Sequence, residues 1–110
     1  MKLPNSKNAI ISKEKLTDYL LSKTHATGKF KAKFFRNLGF DEANADLFEE
    51  SIRKLIQVNE IKEEFSSPYG RKYVIDGKID TPSEGLVMVR TVWIIEKGQK
   101  KSRFITIYPV

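Results

Sequence analysis

The sequence predicts an α+β domain: N-terminal helices, about three, packed on one face of a C-terminal antiparallel sheet of about four strands. Three observations carry this expectation. Apolar residues recur at helical spacing up to about residue 57. Beyond it the pattern becomes alternating, rich in β-branched residues and broken by turn dipeptides. The 110 residues, 40% of them hydrophobic, suffice for one core, so residues 1–110 are expected to form a single domain.

The first helix is expected from about Lys13 to Lys23. Ser12 suits its N-cap, and Ile11 and Leu16 have hydrophobic-staple spacing. Leu16, Tyr19 and Leu20 would form its buried stripe. A polar connection, Ser22 to Gly28, carries His25. The second helix, Lys29 to Leu38, presents Ala32, Phe35 and Leu38 with Phe34 beside them, and Gly39 can close it in a left-handed conformation. Asp41 or Asn44 can cap a third helix that ends near Gln57 and buries Phe48, Ile52, Leu55 and Ile56.

Strands are then expected at Ile61–Phe65, Arg71–Ile75, Leu86–Ile95 and Ser102–Tyr108. The turns between them are Ser66–Gly70, Asp76-Gly77 with the Pro82–Gly85 loop, and Glu96–Lys101. Pairing Ile95 with Ser102 sets Trp93 opposite Phe104, Thr91 opposite Thr106 and Val89 opposite Tyr108. Val92, Ile94, Ile105 and Ile107 would then be the bed for the helices. The other face would interleave aromatics with hydroxyls, a surface able to stack bases and hold phosphates. The same residues also read as an ordinary cross-strand aromatic pair flanked by strand-forming threonines.

Composition narrows the function. Twenty Lys and Arg against 14 Asp and Glu give a formal charge of +6, which suits a polyanionic partner. The chain has no cysteine, which excludes disulfides and thiolate metal sites. Its N-terminus has no apolar signal core, and its longest apolar runs are strand-length. A cytoplasmic protein without membrane association, or a module of a larger chain, is expected. A single histidine argues against zinc, and neither a glycine-rich phosphate loop nor a nucleophile elbow occurs. No cofactor is expected. The Glu49-Glu50 and Glu63-Glu64 pairs read as solvated.

Several fragments carry a resemblance. They are Leu3-Pro4-Asn5, then Lys15-Leu16 with Tyr19-Leu20-Leu21, then His25-x-x-Gly28-x-x-Lys31-Ala32-x-x-Phe35 and Leu38-Gly39-Phe40. Tyr69 to Val74, Arg90 to Ile94 and Thr106 to Pro109 complete the set. In this order they resemble a bacterial family of small uncharacterised domains that occur alone or as C-terminal modules of polymorphic toxins. Ala26 departs from the family, whose members tend to have proline after the histidine. The family is similar to the metal-independent ribonucleases that include barnase, EndoU-type enzymes, several colicins and RelE. The resemblance implies helices against a four-stranded antiparallel sheet, and RNA cleavage.

Metal-free RNA cleavage uses the ribose 2′-OH as internal nucleophile, so it needs an acid/base pair and a cationic clamp. His25 is the sole histidine, and the resemblance places it and Lys31 in one motif. Gly28 can let a phosphate approach the helix start. The second proton-transfer group would be Lys31, Tyr108 or another residue of shifted pKa. The expected catalytic set is His25, Lys31, Thr106 and Tyr108, with Arg71, Thr91, Trp93 and Tyr73 binding substrate. Arg90, in an otherwise apolar strand, is either an edge charge or a clamp.

Two functions follow as expectations. The first is a toxin-like ribonuclease acting on RNA, tRNA among the candidates, and held in check by an acidic inhibitor or immunity protein. The second is a non-catalytic RNA- or protein-binding module of a two-gene pair.

Overall fold

The computed structural model describes residues 1–20 and 29–110. The expectations for His25, for the Ser22–Gly28 connection and for the end of the first helix lie outside the described residues. So do those for the side chains of Tyr19 and Leu20.

The order of elements is as expected. A 3-10 turn at Ser6–Asn8 and a π-helical segment at Lys15–Leu20 precede α1 (Lys29–Asn37) and α2 (Ala45–Val58). Four strands follow: β1 (Glu63–Ser67), β2 (Gly70–Thr81), β3 (Gly85–Glu96) and β4 (Arg103–Pro109). They form one antiparallel sheet in sequence order, β1-β2-β3-β4.

Local chemistry explains the helix ends. The Lys15 amide donates to Ser12 Oγ at 3.4 Å, and Leu16 of the staple pair is fully buried. Gly39, at φ 100°, closes α1. Its amide donates to the Arg36 carbonyl at 3.0 Å, and the Phe40 amide reaches back to Phe35 at 3.1 Å. This is the Schellman arrangement, which satisfies carbonyls that the helix leaves unpaired. Asp41 then accepts from the amides of Ala43 and Asn44 while Asn44 Oδ1 accepts from the Asp41 amide. This reciprocal capping box starts the turn that leads into α2.

The core lies between the helices and one sheet face. Ala32 and Phe35 from α1, Leu38 just after it, and Phe48, Ile52, Leu55 and Ile56 from α2 are buried there. The sheet contributes Tyr73, Ile75, Ile79, Val89, Trp93, Phe104 and Ile107. Phe35 and Phe40 both pack on Phe48, with ring centroids 5.0 and 4.5 Å apart.

Three strand expectations are corrected. The first strand is Glu63–Ser67, two residues later than expected. Asp76-Gly77 is not a turn, because β2 runs unbroken through both residues. Gly77 serves close approach instead: a Cβ there would lie 2.5 Å from Asn59 Nδ2 and 2.9 Å from Leu55 Cγ. Asn59 is tethered by its bond to the Leu55 carbonyl, 2.9 Å, so α2 cannot yield freely. Gly77→Ala should therefore cost about 1–3 kcal/mol in a denaturant melt. An unchanged midpoint would refute tight α2–β2 contact.

The third correction is the face of the last strand. Trp93 does pair with Phe104, but a bulge follows. Val92 pairs with Thr106, Thr91 with Ile107 and Arg90 with Tyr108. One extra residue on β4, Ile105, turns Thr106 and Tyr108 onto the face opposite Trp93 and Phe104. The helices rest on the Trp93 face, not on the face of Val92 and Ile94. Strand β2 shows why. Tyr73, Ile75 and Ile79 lie on the Trp93 side, whereas Lys72, Asp76, Lys78 and Asp80 lie on the other.

Candidate functional site

The structure divides the expected site residues into three groups. Thr91, Trp93 and Tyr73 belong to the core, at 0%, 0% and 6% exposure. The Thr91 hydroxyl donates to the Ile75 carbonyl at 2.8 Å and accepts from Trp93 Nε1 at 2.9 Å. That satisfies the indole, and the Trp93 ring packs edge-on against Phe104 at 5.2 Å. A fully buried indole offers no surface on which a base could stack.

Arg71 forms the second group. Its guanidinium donates to Glu64 Oε1 at 3.0 Å and to Ser66 Oγ at 3.1 Å. The Glu64 carboxylate, by hydrogen bond and charge, raises its pKa. These partners are on the outermost strand, and β2 is two strands from β4. Arg71 is thus not brought to Thr106 and Tyr108.

Lys31, Thr106 and Tyr108 form the third group, and they converge. The Lys31 Nζ donates to Thr106 Oγ1 at 2.9 Å and lies 5.6 Å from the centroid of the Tyr108 ring. Ala32, Phe35 and Leu38 anchor α1 in the core, which fixes where Lys31, in the first turn, can reach. The N-terminal segment bridges the start of β4, with the Phe104 amide donating to the Ile10 carbonyl at 2.8 Å. Thr106 and Tyr108 lie further along β4, and there Lys31 meets them.

Two residues outside the expected site set extend this group. Arg90 is the cross-strand partner of Tyr108 and Asp76 that of Arg90. Arg90 Nε and Nη2 donate to the two oxygens of Asp76 at 2.7 and 2.9 Å. Lys62 Nζ stands 3.5 Å from Asp76 Oδ2. The Arg90 hydrogen bond, its charge and that of Lys62 hold the Asp76 carboxyl below the usual range, against an opposing effect of burial. The Asp76 carboxylate in turn raises the Arg90 pKa, with a smaller contribution from Tyr108. Two charged residues opposite each other in neighbouring strands were the available signal, but it depends on β2 continuing past Asp76.

The Asp76 shift gives a pH prediction. A depressed folded-state pKa stabilises fully above the unfolded value, about 3.9 for Asp. The contribution is lost as pH falls through the lower folded value. The wild-type Tm should therefore fall more steeply than that of Asp76→Asn between about pH 5 and pH 2. Parallel Tm–pH curves would show that the pair is not linked to folding.

Other features are less suited to phosphate chemistry. A groove of about 650 Å³ has Leu47, Leu55, Val58, Leu86 and Met88 among its lining residues, with Lys54 and Lys78 balanced by Glu50, Asp76 and Asp80. Among the described residues no cluster of three His, Cys, Asp or Glu could hold a metal ion. No described helix is long and apolar enough to cross a membrane.

A structure described as a contact-dependent growth inhibition toxin–immunity protein complex from Klebsiella pneumoniae 342 contains a chain of similar fold. The TM-score is 0.71 at 21% identity, over 94% of this chain and 95% of that one. At that identity the likeness is one of fold. No curated protein sequence matches the chain. Matched over residues 2–110, the chain belongs to the family described as Domain of unknown function DUF6883.

Proposed function

We propose that this domain is a toxin-system module that cleaves RNA without a metal, at a site built on Lys31, Thr106 and Tyr108. The observation that carries the reading is the Lys31 ammonium on the Thr106 hydroxyl beside the Tyr108 ring. A cation and two hydroxyls gathered at a sheet edge match what a charged phosphorane requires. The formal charge of +6 favours a polyanionic substrate. The fold shared with a chain of a toxin–immunity complex supports a toxin context and a protein partner, for which an acidic inhibitor would be complementary.

In the reaction, a base takes the proton from the ribose 2′-OH. The 2′-oxygen bonds to phosphorus, and the bond from phosphorus to the 5′-oxygen breaks. An acid returns a proton to that oxygen. The products are a 2′,3′-cyclic phosphate and a 5′-hydroxyl. Lys31 stabilises the charge on the non-bridging oxygens. His25, four residues before α1 in the sequence, supplies the base, and Tyr108 the acid. Thr106 orients Lys31.

The test is incubation of the purified domain with total RNA or tRNA in the presence of EDTA. Cleavage is expected from wild type and not from His25→Ala or Lys31→Ala. If wild type binds RNA with strong salt dependence and leaves it intact, the domain is a binding module instead.

A further inference from the structure

We infer that Arg90, held by Asp76 opposite Tyr108, is the phosphate clamp of this site; the inference rests on the reading of Lys31, Thr106 and Tyr108 as the reaction centre. Arg90 and Tyr108 are direct partners across β3 and β4, and Thr106, two residues back on the same face, holds Lys31. Side chains opposite each other in an antiparallel pair have Cβ atoms about 5 Å apart. The guanidinium thus stands beside the Tyr108 ring, on the side of β4 that carries Thr106.

The donor inventory supports a clamp. A guanidinium has five N–H donors in a rigid fork. Asp76 engages Nε and one hydrogen of Nη2. The Nη1 hydrogens point away from the carboxylate, along the opposite edge of the fork. Asp76 therefore fixes the rotamer while leaving donors for an oxyanion. The Arg90 side chain is 26% exposed, enough to meet a ligand.

Charge points the same way. Asp76 faces two cations, Arg90 and Lys62, so this trio retains one net positive charge. With Lys31 5.6 Å from the centroid of the Tyr108 ring, a phosphate beside that ring would meet a second cation. Asp76 is in this view a positioning residue, acting through Arg90.

The probe is a labelled single-stranded oligonucleotide with 2′-deoxyribose throughout, which cannot be cleaved by 2′-OH attack. Binding is followed by anisotropy over a range of KCl concentrations. Each phosphate contact on a single strand contributes about 0.7 to the salt slope. Arg90→Gln should weaken binding and lower the slope by about 0.7. Lys54→Gln, on α2 and outside the site, should leave the slope unchanged. Arg90→Lys should keep the slope but bind several-fold more weakly, because an ammonium cannot replace the fork.

Unchanged slope in Arg90→Gln, or an equal loss in Lys54→Gln, overturns the clamp. Should Arg90→Gln not fold, wild-type affinity in Arg90→Lys does so. The two readings separate cleanly. Intact RNA with wild type, together with a reduced slope in Arg90→Gln, sinks cleavage and keeps the clamp. Cleaved RNA with an unchanged slope sinks the clamp and keeps cleavage.

Discussion

Lys31→Ala should lower the rate of RNA cleavage by about a hundredfold to a thousandfold, the loss that follows removal of one donor aimed at developing charge. Stability should change little. The side chain donates to Thr106, a partly buried contact contributing about 1 kcal/mol. The cationic contact with the Tyr108 ring adds a comparable or smaller amount at such a site. Activity and stability thus separate in this variant, which marks a functional residue. Thr106→Val is expected to show a milder defect, since it removes the hydroxyl that orients Lys31 but leaves the cation. His25→Ala should lose about a hundredfold or more, as expected of a general base. Initial rates on a defined RNA, with Tm measured alongside, check all three. Wild-type rates in Lys31→Ala would remove the site from this edge of the sheet.

Trp93→Ala should destabilise the domain by about 3–5 kcal/mol. Domains of this size are typically stable by about 5–15 kcal/mol in total, so the variant should unfold well below the wild-type midpoint. The indole is wholly buried, packs on Phe104 and donates to Thr91. Its removal leaves a large cavity and takes away a partner of the Thr91 hydroxyl. Trp93→Phe should be milder, because it retains the ring and loses only the donor and part of the volume. Its RNA cleavage at low temperature should be near that of wild type. A folded Trp93→Ala with a wild-type midpoint and poor RNA binding would restore Trp93 as a base-stacking residue. Chemical denaturation followed by far-UV circular dichroism distinguishes these outcomes.

Much of the candidate site was legible as residue types. Lys31, Thr106 and Tyr108 were selected from the sequence, and the structure brings these three together. What could not be read was the face on which they meet. The run Phe104-Ile105-Thr106-Ile107-Tyr108 is apolar at either parity. Simple alternation therefore allows Phe104 or Ile105 and Ile107 to point inward, and a bulge allows Phe104 and Ile107 together. Arg71 is expected from the sequence to bind substrate, but sheet order sets it two strands from β4. Arg90 reads from the sequence as either an edge charge or a clamp, and an Asp76-Gly77 turn would separate it from its partner.

By itself, the sequence determined the element order, the helix caps and the chemistry available. These depend on local matters: periodicity, capping side chains and the absence of cysteine. Tertiary structure alone decided which sheet face the helices cover. Along β2, Tyr73, Ile75 and Ile79 share the Trp93 side, whereas Lys72, Asp76, Lys78 and Asp80 share the other. Burying Tyr73, Ile75 and Ile79 with Trp93 removes more apolar surface from water than burying the Val92 face, where charges interrupt it. That preference, with one extra residue in β4, sends Thr106 and Tyr108 to the side where Arg90 stands and where Lys31 can reach them.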